Sequence, residues 1–205
     1  MPRRTGKSGD QRAAAPAGEQ AVSEPLPTEE RTFLIADVRN YTAYTQEQGD
    51  QAAARLTMKF TALAAASARQ HQGRLLSQRG DEIVAVFTSP RRALRAALAL
   101  IAICAEEAGR DPSLPLHVGV GVAAGKVVRV GDDYRGGALN LASRLCNLAR
   151  EGEALASQTV VRQARQMPGV TFVERGAAQL KGLQQGVAIY SVLPEIGRAS
   201  CRERV

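Results

Sequence analysis

Two acids and a polar pair on a helix are the residues of this 205-residue chain whose types and spacing could do chemistry. Asp37 ends the apolar, β-favouring run Thr32-Phe33-Leu34-Ile35-Ala36, and Asp81 sits in a Gly80-Asp81 turn between two further β-like runs. The first acid leads into a polar turn, Asn40-Tyr41-Thr42, whose residue types pair with backbone groups and start helices. An acid at the end of a buried strand, beside free N–H groups, suits a metal ion carrying a phosphate. Two carboxylates at one rim of a sheet repel each other and need a cation. Such pairs can hold two metal ions about 3.5–4 Å apart in phosphoryl chemistry. Taken singly, Asp37 reads better as a turn or capping residue than as a ligand, and Asp81 better as a turn residue. Asn140 and Arg144 stand four apart on a helical stretch and so share a face. A solvated polar face would explain them, but their neighbours Leu139, Leu141, Ala142 and Leu145 are apolar, and a charged face there needs a reason.

The elements that must position these groups alternate between the two periodicities. Residues 1–30 are Ala, Pro, Gly and charge without period, read as a disordered leader or linker. Asp50 to His71 repeats apolar residues at helical spacing. Arg74–Arg79 and Glu82–Phe87 form a hairpin around Gly80-Asp81, and Ser89-Pro90 opens a second helix running through Ala105. Leu116–Val122 is strand-like, and Lys126–Val130 is expected to pair with it. A helix follows Gly136-Gly137 to Leu148, then short elements at 154–157 and 160–166, and strands at 170–174 and 187–193. Strands with hairpins among helices indicate an antiparallel-rich α/β, or α+β, sandwich. The domain is expected over 31–193, and 194–205 reads as an unstructured tail without function, non-native in character.

Composition excludes some classes. Net charge is +7 with a pI near 9.8, which suits nucleic acid or nucleotide phosphates, yet no block of like charge or aromatic stacking platform exists. Three cysteines without CxxC spacing or nearby His argue against a disulfide framework or zinc site and for a reducing compartment. The longest apolar run, Ala96–Ala105, is too short to span a bilayer, and no apolar signal core is visible near the N-terminus, so the expectation is cytoplasmic, away from membranes. The run Gly119–Lys126 fails the P-loop pattern, because Val120 stands at the first Gly and Val127 at the Ser or Thr. Small residues beside a close-packed neighbour explain it better. His71 and His117 lie far apart in sequence and are read as structural.

Four segments together carry a resemblance: Thr32–Thr42, Arg79-Gly-Asp-Glu-Ile-Val-Ala-Val-Phe87, Gly136-Gly-Ala-Leu-Asn-Leu-Ala-Ser-Arg144 and Leu180-Lys-Gly182. In this order and spacing the chain, from about Arg31 to Val192, resembles the class III adenylate/guanylate cyclase catalytic domain. The resemblance implies a ferredoxin-like βαββαβ core, a mostly antiparallel sheet covered by helices, and a head-to-tail homodimer with its sites at the interface. It implies that Asp37 and Asp81 of one subunit, with Val38 beside them, bind two Mg²⁺ or Mn²⁺ ions. Backbone N–H groups around Tyr41 and Thr42 would hold the terminal phosphates. From the other subunit, Asn140 would orient the ribose and Arg144 would stabilise charge on the α-phosphate. Lys181 matches the phosphate-binding lysine.

One position departs from the family. The purine-reading lysine is replaced by Ser77, with Arg79 on the same strand face as a displaced substitute. The companion acid falls at Asp133, with Asp132 as the fallback, and an acid there favours adenine. The implied reaction is ATP to cyclic AMP and pyrophosphate, with slack discrimination against GTP, in intracellular signalling, and without a nucleic-acid partner. A fused regulatory or effector domain outside this chain is expected too. The alternative is a degenerate cyclase domain acting as a nucleotide-binding or regulatory dimerisation module. A ferredoxin-like RNA-binding domain shares the topology, but Leu76–Phe87 lacks the surface aromatics that stack bases.

Overall fold

The computed structural model describes residues 26–178 and 186–195. Its centre is β1 (Thr28–Val38), where every residue from Thr32 to Ala36 is buried. Alternation sends Leu34, Ala36 and Val38 to one face of the sheet and Phe33 and Ile35 to the other. Both faces are therefore covered, which is why this strand reads as a continuous apolar run.

Two helices follow β1, α1 (Tyr41–Gln48) and α2 (Asp50–Gln70). The hairpin β2 (Arg74–Arg79) and β3 (Glu82–Phe87) precedes α3 (Pro90–Arg110) and β4 (Val118–Val130). After these come β5 (Asp133–Arg135), α4 (Gly137–Leu148), β6 (Ala154–Ser157), α5 (Gln158–Ala164), β7 (Val170–Ala178) and β8 (Val187–Pro194). Strand order is β2-β3-β1-β4-β6-β8-β7, with β5 paired to β4, and only the β4–β6 pairing is parallel among those described. The first four strands and the helices between them form the expected βαββαβ core. On one face, Leu56 and Phe60 of α2 and Leu94 and Leu100 of α3 pack on Leu34, Ala36 and Val38. On the other, α4 lays Ala138, Ala142, Leu145 and Cys146 against Phe33, Ile35, Ala123 and Val127. No helix among the described residues is long and apolar enough to cross a membrane.

Four expectations need correction. β1 starts at Thr28, ahead of Arg31, because Thr28, Glu29 and Glu30 pair with Val128, Val127 and Lys126. β4 does not fold back on itself at Ala123-Ala124-Gly125, and Lys126–Val130 does not pair with the segment before it. The strand is continuous over 13 residues, and β1 supplies ladder partners from Val118 to Val128. The Asn40-Tyr41-Thr42 turn is the start of a helix, α1, that the local polarity concealed. Lastly, α3 runs five residues beyond Ala105, to Arg110.

Candidate active site

Asp37 lies at the last but one position of β1, with Glu82 as its cross-strand partner on β3. The hairpin turn is fastened to β1 where the Val38 N–H donates to the Asp81 carbonyl at 3.3 Å. That tie brings both acids to one rim. Gly80 takes a left-handed φ of 59°, which the tight turn requires. Burial pushes the Asp37 carboxyl up to about 6; nearby Arg39 lowers it, while the charges of Asp81 and Glu82 raise it further. An acid held so reluctantly ionised, with like charges around it, fits a divalent cation.

Beside the acids, Asn40 turns the chain through a left-handed conformation (φ 60°, ψ 19°) and leaves α1 without a side-chain N-cap. Asn40 therefore starts the helix by its backbone, not by the capping bond its type suggests. The uncapped N-terminus, with Tyr41 and Thr42 in its first turn, opens into a cleft of about 590 Å³ lined by Asp37, Val38, Arg39, Asn40, Gln46 and Asp81 among others. Unsatisfied N–H groups and the positive end of a helix dipole favour an anion there. Val38 has its side chain in the core, so only its backbone can serve this cleft. Among the described residues no cluster of three His, Cys, Asp or Glu could hold a metal by itself. The donor set of two acids, backbone and incoming phosphate oxygens nonetheless fits a hard cation such as Mg²⁺ or Mn²⁺.

A second hollow, of about 300 Å³, lies beside α4 on the same face of the sheet. Ser77, Arg79, Glu82, Asp133, Arg135, Leu139 and Ser143 line it among others. It thus gathers the two base-reading candidates and the substitute Arg79, whereas the fallback Asp132 is 92% exposed beside Arg129. The Asp133 carboxylate accepts from the Tyr134 N–H at 2.9 Å and from Arg135 Nη1 at 2.6 Å, bonds that hold its pKa below the usual range.

Asn140 is exposed on α4, and Arg144 is half-buried with Nη1 buried and unpartnered among the described residues. A buried guanidinium nitrogen without a partner is uncommon, and it marks a place where an anion would be satisfied. Neither Asn140 nor Arg144 lines either hollow, and no residue lines both. Lys181 lies outside the described residues. His117, read from sequence as structural, pairs through Nδ1 with Glu151 at 2.5 Å.

Residues 24–194 match the family of the adenylate and guanylate cyclase catalytic domain. The chain belongs to this family. An "Adenylate cyclase" of Glutamicibacter nicotianae is 31% identical over 152 residues, covering 72% of this chain and 36% of the relative. The domain thus spans little more than a third of that relative's length. The adenylyl cyclase CyaB from P. aeruginosa superposes with a TM-score of 0.71 at 21% identity, covering 84% of this chain and 97% of that one. An "Adenylate/Guanylate Cyclase/Hydrolase" from Silicibacter pomeroyi reaches 0.72 at 20% identity, covering 83% and 100%. At those identities the two structures speak for the fold alone. Cyclases of this family generally use divalent metals, in keeping with the donors at the Asp37 cleft.

Sequence reasoning missed two groups. Arg39 follows Asp37 by two, and strand alternation alone puts it on the same face. Glu82 sits next to Asp81 and opposite Asp37, a place that only the β1–β3 register reveals.

Proposed function

We propose that the domain converts ATP to 3′,5′-cyclic AMP and pyrophosphate as a head-to-tail homodimer with two shared sites. The observation that carries this is the division of the machinery. The acids and uncapped helix stand in one hollow, the base-reading candidates in another, and the unpartnered Arg144 lines neither. Two copies with opposed faces would complete each cleft with the other's pocket and α4, following two-fold symmetry.

Asp37 and Asp81, with the Val38 backbone, would hold Mg²⁺ or Mn²⁺, which when bound lowers the pKa of the 3′-hydroxyl and neutralises phosphate charge. The first N–H groups of α1, at Tyr41 and Thr42, bind the terminal phosphates, and Lys181 adds a further cation to them. From the partner, Asn140 orients the ribose so that the 3′-oxygen lies in line with the α-phosphate. Arg144 places its unpaired guanidinium nitrogen where negative charge grows in the transition state. Asp133 accepts from the adenine amino group with the lone pairs that Tyr134 and Arg135 leave free.

The purified chain is incubated with Mn²⁺ and ATP or GTP in turn, and cyclic nucleotide and pyrophosphate are quantified. Cyclic AMP is the expected main product, with some cyclic GMP. A folded dimer that makes neither refutes the proposal. The second reading, a regulatory nucleotide-binding module, is favoured by Ser77 in place of a base-reading lysine and by the Asp133–Arg135 pair. It predicts nucleotide binding without product.

A further inference from the structure

Among the described residues, Arg39 is the one cation that lines the acidic cleft. Its side chain is 19% exposed, and Nη2 reaches three groups: Asp37 Oδ1 at 3.2 Å, the Cys146 carbonyl at 3.2 Å and Cys146 Sγ at 3.4 Å. Nε is buried without a partner among the described residues. The Cys146 thiol, pushed up to about 12 by burial, stays protonated and lies 3.4 Å from the Gly119 carbonyl. Space for the guanidinium exists because residue 119 is glycine. A Cβ there would stand 2.8 Å from Cζ, Nε and Nη2. Gly119 is the cross-strand partner of Asp37, so the strand register itself builds this seat.

We propose that Arg39 is a positioning residue with two attachments: it occupies the Asp37 carboxylate until a divalent cation takes its place, and it ties that carboxylate to the last turn of α4. Resting on the shared-site reading above, this joins the acid that serves one site to the helix whose Asn140 and Arg144 serve the other. A metal ion and the guanidinium compete for the same carboxylate lone pairs, and their charges repel across a few ångströms. Arg39 therefore weakens metal binding while keeping the catalytic geometry in register. A side chain present only for stability would do neither.

The test separates the two attachments. Mn²⁺ binding to the nucleotide-free chain is measured by calorimetry, and kcat and thermal midpoint are measured in parallel. Arg39→Met removes the competing charge, so Mn²⁺ should bind about tenfold more tightly, while kcat falls at least about tenfold because the Asp37–α4 tie is lost. Arg39→Lys keeps the charge but cannot span both partners. Its Mn²⁺ affinity should stay near wild type while kcat falls. Gly119→Ala reaches the same point independently, since the new methyl displaces the guanidinium and leaves Arg39 in the chain; Mn²⁺ affinity should rise here too. A folded Arg39→Met or Gly119→Ala chain with unchanged or weaker Mn²⁺ affinity overturns the proposal, as does Arg39→Met with wild-type kcat. If the wild-type chain makes no cyclic nucleotide, the cyclase reading fails, yet the direction of the Mn²⁺ shift still decides the role of Arg39.

Discussion

Replacing Gly121 with alanine tests how closely α4 is set against the sheet. A Cβ built at residue 121 meets the Ala142 carbonyl oxygen at 2.1 Å, the Cys146 nitrogen at 2.3 Å and the Leu145 carbonyl carbon at 2.9 Å. All three are backbone atoms of one helix, so no rotamer change relieves the clash. To restore ordinary contact, α4 must withdraw by about 1 Å, against dispersion forces that hold Ala142, Leu145 and Cys146 on Phe33, Ile35 and Ala123. Overpacking of this kind costs about 3 kcal/mol, at the upper end of the usual range, because the obstacle is main chain. For a domain of this size that lowers the thermal midpoint by about 6–12 °C. The same displacement moves Asn140 and Arg144, and a 1 Å misplacement of positioning groups costs about 10² in rate. Gly125→Ala is the control. Its Cβ would lie 3.4 Å from the Ala138 Cβ, an ordinary contact, and stability should change by no more than about 0.5 kcal/mol. Calorimetric scans and cyclic AMP production on the two variants give the answer. A Gly121→Ala chain with wild-type midpoint and activity would refute the close-approach argument, and with it the placement of α4.

Asp37 also gives a pH signature. Because burial raises its pKa from 3.8 to about 6, the folded chain holds more protons than the unfolded one between those values, and stability falls as pH rises through that window. Discounted for solvent screening at this half-buried carboxyl, the loss is on the order of 1–2 kcal/mol in the metal-free chain; urea unfolding from pH 3.5 to 7 should show a shallower fall in Asp37→Asn than in wild type, with what remains coming from Glu82, which burial also raises. Mn²⁺ affinity should run the other way, dropping about tenfold per unit as pH falls below 6, because metal requires the ionised acid. For assembly, Asp37→Ala and Arg144→Ala chains should each lose about 10²–10³ in rate alone. Mixing should restore up to about half of wild-type activity per heterodimer, since one of the two interface sites is then free of both lesions. A mixture that stays dead while heterodimers form refutes the division of Asp37 and Arg144 between subunits.

How much of this was legible in the sequence depends on the range of the interaction concerned. Local patterning was sufficient for β1, the β2–β3 hairpin with its Gly80-Asp81 turn, the two long helices and α4, because hydrophobic period and turn chemistry act over a few residues. The motifs around Asp37, Asp81, Asn140 and Arg144 pointed to the family for the same reason: chemistry requires given residue types at given short spacings. The Gly119–Lys126 run was legible as small residues awaiting a neighbour. Which neighbour each one meets, α4 for Gly121 and Arg39 for Gly119, was not.

What tertiary structure decided was contact across the sheet. Only β1, 80 or more residues away, keeps Ala123-Ala124-Gly125 extended and makes β4 one strand. Only the left-handed Asn40 converts a polar turn into the uncapped start of α1. The raised pKa of Asp37, the seat of Arg39 between it and Cys146, and the separation of the acid cleft from the pocket of Ser77 and Asp133 all follow from register and burial. Those are sums over residues far apart in sequence, and no local pattern contains them.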